Sequence, residues 1–214
     1  MEALILVDIQ RDFLPGGALA VNDGDTVVPV ANTLQPYFDL IVATQDYHPA
    51  DHLSFAANHS EKQPGDLVQL KGLKQVLWPV HCVQGATGAQ FADNLSMDRV
   101  AKIFPKGTDP EIDSYSGFFD NGHLKATGLG DYLKEKGVDK VVVMGLATDY
   151  CVKFTALDAK QLGFTTVVIG DGTRAVNLQP DDFDKAIAEM KAAGIQILSS
   201  EEFVAKQKEK ASRS

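Results

Sequence analysis

Val141-Val142-Val143-Met144-Gly145-Leu146-Ala147-Thr148-Asp149-Tyr150-Cys151 is the stretch whose pattern decides the fold. Four apolar residues follow Asp139-Lys140 without a polar break, as in a strand buried on both faces of a parallel sheet. Gly145 punctuates the run, and Thr148-Asp149 are residues of the helix N-cap type. From Tyr150 the spacing turns helical, with Val152, Thr155, Ala156, Ala159 and Leu162 on one stripe until Gly163. Cys151 is thereby expected in the first turn of a helix that follows a buried strand. Free N–H groups and the helix dipole there favour an anion, so the thiol is expected to ionise at lower pH than usual. The same N–H groups can receive an oxyanion. A buried, inert cysteine fits the same letters, and only the other strands can separate the two readings.

Ala3 to Ile9 is a second apolar run, broken by Asp8, whose carboxylate is costly to bury unless paired. Asp12, beyond that run, competes with Asp8 for an acid–base role but is expected to be solvated or to fix a loop. Val27, Val28, Ala31, Leu34 and Phe38 form a helical stripe, with Asp25 as its cap and Pro29 near its first turn. Leu40 to Ala43, Val100 to Phe104, Thr165 to Ile169 and Ile195 to Leu198 read as further strands. Helices are expected near 129–136 and over 181–193, the second closed by Gly194. About fifty residues from His48 to Asp98 hold no sustained period, which marks a functional loop.

Six strands alternating with helices predict an α/β fold: an open, mostly parallel sheet with helices on both faces. One domain is expected to span 1–214, with a frayed polar tail over about 206–214. In such sheets ligands bind beyond the carboxyl ends of the strands. Asp8, Asp46, Lys106 and Cys151 each lie in or just after such an end, so four chemically capable residues should meet on one rim.

Composition narrows the partners. The 214 residues are 44% hydrophobic and 23% charged, ordinary for one globular domain. A net charge of −9 argues against nucleic acid and against an anionic membrane surface. Cys82 and Cys151 do not make a disulfide framework, and the sequence shows no signal peptide or long apolar span. A cytoplasmic protein, monomeric or a small homo-oligomer, acting on a small molecule is the expectation.

Two constellations follow. In the first, Asp8 can take the thiol proton of Cys151 while Lys106 stabilises whichever of them is charged. A buried Asp–Lys ion pair beside an inert cysteine would use the same residues. In the second, Asp46 and His48 stand two apart on an extended segment and point the same way, so they can share an ion. His81 would complete a carboxylate-plus-two-imidazole set with positions left open. His52 and His59, in the same loop, are further or alternative ligands, and all these histidines could instead be exposed.

At these residues the sequence resembles the nicotinamidase/pyrazinamidase group of the isochorismatase-like cysteine hydrolases. The matching segments are Leu6 to Phe13, Gln45 to Pro49, Trp78-Pro79-Val80-His81-Cys82, Lys106-Gly107 with Tyr115 to Phe118, and Gly145 to Cys151. They span nearly the whole chain in family order. The resemblance implies hydrolysis of nicotinamide, and of pyrazinamide, to the acid and ammonia in NAD salvage. Cys151 would attack the carboxamide carbon to form a thioester, with Asp8 as general base and acid and Lys106 tuning both. The N–H groups of Ala147 and Cys151 would hold the oxyanion, and a cis peptide would precede Ala147. Asp46, His48 and His81 would hold a divalent metal, zinc before iron(II) or manganese(II), that binds the pyridine nitrogen. Phe13, Trp78 and Tyr115 would line the ring pocket, whereas His59 and His123 match no functional position. A metal-free carbamoyl amidohydrolase and a non-catalytic partner domain are the rivals; Asp46-x-His48 with His81 argues against the first, and the complete set of Asp8, Lys106 and Cys151 against the second.

Overall fold

The structure is a computed structural model describing residues 1–213. All six expected strands form and pair in parallel: β1 (Glu2–Val7), β2 (Leu40–Asp46), β5 (Val100–Lys106), β6 (Lys140–Leu146), β7 (Thr165–Arg174) and β8 (Gln196–Leu198). Their order is β5-β2-β1-β6-β7-β8. The chain therefore builds outward in one direction from β1 and in the other from β6, and the crevice between those two strands is the switch point where α/β sheets bind ligands.

The apolar runs explain why the sheet is covered twice. Along β1, Leu4 and Leu6 point into one core, shared with helix α1 (Val27–Leu34) and with Phe203 of α5 (Ser200–Ser212). Ala3, Ile5 and Val7 point into the other, with α2 (Leu129–Glu135), α3 (Lys153–Gln161) and α4 (Asp182–Ala192). Period-two alternation in a strand apolar at every position is what two-sided burial demands. Gly145 lets β6 lie against β1: a Cβ there would stand 2.1 Å from the Val7 carbonyl oxygen.

Beyond shifts of element bounds, such as β7 running on to Arg174 and α1 opening after Thr26 and not at Asp25, the structure departs from the expected elements in four places. β1 stops at Val7, and Asp8 turns the chain with a φ of 48°, so the carboxylate leaves the strand and is not an interruption within it. Cys151 does not open a regular α-helix but lies in a five-residue π-helical turn, Thr148–Val152, ahead of α3. Such turns are rare and concentrate at functional sites. The long loop holds a hairpin of its own, β3 (Leu67–Leu70) and β4 (Leu73–Val76), turned by Lys71-Gly72. The expected frayed tail is helical through Ser212, because Ser199 and Glu202 close a capping box on α5 and Gln207 donates to Glu2. Among the described residues no helix is long and apolar enough to cross a membrane.

Candidate active site

The strand ends bring Asp8, Lys106 and Cys151 together. Lys106 closes β5 with its ammonium fully buried, 2.7 Å from Asp8 Oδ2 and 3.3 Å from Cys151 Sγ. It also donates to the Ser114 carbonyl oxygen at 2.8 Å and approaches Asp46 Oδ1 at 3.3 Å. Thr44 donates to Asp8 Oδ1 at 2.7 Å. Burial pushes the Asp8 carboxyl above the ordinary carboxylate range; Lys106 pulls against it and Asp46 adds to it. Lys106 is held well above its usual value because two carboxylates overrule its own burial.

Cys151 corrects the expectation of a readily ionised thiol. Burial holds it well above the ordinary range, Lys106 pulls it down, and the Asp8 and Asp46 charges with a hydrogen bond to Asp8 push it back up. The turn itself is tightly fixed. Leu146–Ala147 is cis, Tyr150 and Val152 both donate to the Ala147 carbonyl, and Thr148 bonds Thr173 at 2.7 Å.

Asp46, His48 and His81 also converge. Both Nε2 atoms face one oxygen, Asp46 Oδ2, at 3.0 Å from His48 and 3.2 Å from His81. Each ring's Nδ1 lies against a carbonyl oxygen, Gly107 at 2.8 Å and Pro79 at 2.7 Å, which takes an Nδ1–H. With Nδ1–H so placed, both Nε2 atoms and the carboxylate oxygen face one point, where a proton or a metal ion can bridge them. The donor set therefore fits a divalent metal, and its ligand atoms lie within 4.8 Å of one another. Gly107 is part of the cradle: at φ 66° it has no Cβ, and one would fall 2.4 Å from His48 Cε1. Burial resists charging His48, but the adjacent Asp46 overrides it and pushes the imidazole up to about 9.

A second group, His48, His52 and Asp113, meets the same 4.8 Å geometry, which keeps His52 beside the ligand set. His59 instead bonds the Leu53 carbonyl, and His123 pairs with Asp158 with its side chain 49% exposed, so neither reaches the site. Asp12 fixes loops, as one of its two readings had it: Oδ2 accepts from the Cys82 N–H at 2.7 Å and Oδ1 from Ala18 at 3.2 Å.

Beside these groups lies a cleft of about 370 Å³, part of it open to solvent. Phe13, Trp78 and Tyr115 line it together with Asp46, His81 and Cys151. Trp78 Nε1 and Gln75 Nε2 donate to the Tyr115 hydroxyl at 3.1 and 2.8 Å, which locks the two aromatic walls. The same cleft takes Leu19, Asp113, Tyr150 and Val176, to which the sequence reading gave no pocket role. Tyr150 had a signal, an aromatic residue next to the cysteine; it stands edge-on to Trp78 at 4.9 Å. Val176 had none, being carried in by the Asp149 carboxylate, which accepts the N–H groups of Val176 and Asn177 at 2.9 Å each.

A parallel sheet with a cysteine, an aspartate and a lysine at its switch point defines a class, and comparison with known proteins agrees. The isochorismatase domain family matches residues 2–202, and the chain belongs to that family. Several of its relatives, 36–52% identical, are nicotinamidases. The Escherichia coli (strain K12) nicotinamidase is 52% identical, over 90% of this chain and 92% of that protein. The structure of the Acinetobacter baumanii nicotinamidase pyrazinamidase superposes with a TM-score of 0.92 at 45% identity, covering 94% of this chain and 97% of that one. The pyrazinamidase of Pyrococcus horikoshii in complex with zinc gives 0.74 at 39% identity, covering 92% and 98%.

Proposed function

We propose that the protein is a metal-dependent amidase of the cytoplasm that hydrolyses nicotinamide, and pyrazinamide, to the acid and ammonia, a step of NAD salvage. The observation that carries this reading is the Lys106 ammonium, 2.7 Å from Asp8 and 3.3 Å from Cys151, the cysteine itself lining an aromatic cleft together with Asp46 and His81.

Asp8, raised by burial, takes the Cys151 proton as Sγ bonds to the carboxamide carbon. The N–H groups of Ala147 and Cys151 receive the oxyanion. Asp8 then gives its proton to the amide nitrogen, the C–N bond breaks, and ammonia leaves a thioester on Cys151. Water, losing a proton to Asp8, attacks that carbon; the C–S bond breaks, the acid is released and the proton returns to sulfur. Lys106 stays charged throughout and holds Asp8 and Sγ in register. Phe13, Trp78 and Tyr115 sandwich the ring. A divalent ion on Asp46, His48 and His81 would supply a Lewis-acidic contact for the ring nitrogen, with zinc favoured by the zinc-bound pyrazinamidase relative.

The test is ammonia release from nicotinamide by the purified protein, before and after chelation and after adding metal back. Activity that falls on chelation and returns with zinc is expected. Unchanged activity after stripping removes the metal from the reading, and no activity in any metal form removes nicotinamide.

A further inference from the structure

Gln10 lies two residues beyond Asp8, is wholly buried, and does not line the cleft. Its carboxamide is spent on main chain. Oε1 accepts the Asp46 N–H at 2.8 Å, and Nε2 donates to the Asp46 carbonyl at 2.8 Å and to the Ala89 carbonyl at 2.9 Å. The reason lies in the sheet. β1 accompanies β2 only as far as Val7 opposite Thr44, whereas β5 pairs with β2 on to Lys106 opposite Asp46. Asp46 thus has a strand neighbour on one side only, and on the other a side-chain amide presents the acceptor and donor that a continuing strand would have offered.

We propose that Gln10 is the positioning residue for Asp46: it locks the end of β2 so that one carboxylate spans Lys106 through Oδ1 and both imidazoles through Oδ2. This rests on the metal site proposed above. A swing of the Asp46 main chain would carry its carboxylate away from two histidines that are independently fixed by Gly107 and Pro79, so the ligand set would open. Gln10 touches neither ligand atoms nor substrate; it acts through Asp46. The competing account is that Gln10 merely satisfies buried polar groups. Gln35 provides the comparison, since it is 2% exposed and donates to the Ser96 carbonyl at 2.8 Å, in the turn after α1 and outside the cleft.

The experiment compares Gln10→Met, which keeps the length without hydrogen bonds, with Gln10→Asn, one methylene short, and with Gln35→Met. Zinc affinity is measured against a chromophoric chelator, the cobalt(II) form by its visible absorption, and folding by thermal unfolding. Both Gln10 variants should bind zinc about 10–100-fold more weakly, the usual effect of losing a group that orients a metal ligand, and should show altered cobalt bands. Gln35→Met should lose stability while leaving affinity and spectrum at wild-type values. A folded Gln10 variant with wild-type affinity and cobalt spectrum overturns the proposal, and Gln10→Asn carries the test if Gln10→Met does not fold. Wild-type protein that binds no metal, or binds it equally well after His48→Ala, removes the metal site itself and this inference with it.

Discussion

Asp8 and Asp46 are both buried carboxylates, and both reach the same lysine nitrogen, yet their acidities part. Asp8 has Lys106 and a threonine hydroxyl, too little to offset its burial, so it is raised. Asp46 has Lys106 and two imidazoles, and despite equal burial it is held well below the ordinary range. The difference lies in the number of cationic or donating neighbours, and it matches the division of work proposed above. A carboxyl that can gain and lose a proton suits acid–base transfer, and one fixed as an anion suits holding a cation; pairs driven apart in this way mark acid–base assignments.

The sharpest break would come at the cysteine that Lys106 reaches beside the two carboxylates. Cys151→Ala should reduce ammonia release by at least about 10⁴-fold while Cys82→Ala, buried and without a lysine in hydrogen-bond reach, leaves turnover near wild type. Retained turnover in Cys151→Ala would end the thioester reading. Next, Asp8→Asn should lower kcat by about 10²–10⁴-fold with metal content intact, whereas Asp46→Asn should lose the metal. Equal metal loss in both variants would erase the division between them. Lys106→Met strands two buried carboxylates and should destabilise the fold by about 3–5 kcal/mol in urea unfolding.

The smallest effect is a matter of pH. Because Asp8 must be deprotonated to act and is raised, the acidic limb of kcat/KM should fall above the ordinary carboxylate pKa of 3.8. A limb at or below that value would mean that burial does not govern Asp8. Stability gives the opposite signs: Asp46, depressed in the fold, contributes stability above pH 3.8 that is lost as pH falls toward its lowered value. Asp8, raised in the fold, contributes stability at low pH that is lost as pH climbs through its raised value.

Much of this arrangement was legible because strands buried on two faces leave an unmistakable apolar run, and parallel sheets gather whatever follows those runs. That logic alone put Asp8, Asp46, Lys106 and Cys151 on one rim. The π-helical turn around Cys151 and the left-handed Asp8 were not readable, since both are set by packing at the switch point and not by local propensity. Leu19 and Val176 reach the cleft from loops with no pattern of their own. Two features were written in the letters and passed over: Lys71-Gly72, both at positive φ, turns the β3–β4 hairpin, and Ser199 with Glu202 announces α5. The thiol departs from the helix N-terminus expectation because Cys151 is buried beside two carboxylates, which outweigh the turn's N–H groups.

Lys106 also constrains how such a chain can drift. A wholly buried ammonium between two carboxylates leaves no neutral single step away from the present arrangement: losing the lysine strands the acids, and losing an acid loosens the lysine. A lineage released from selection for turnover would be expected to shed Lys106 and Asp8 as a pair, the double replacement being better tolerated than either the loss of Lys106 alone or the sum of the separate losses.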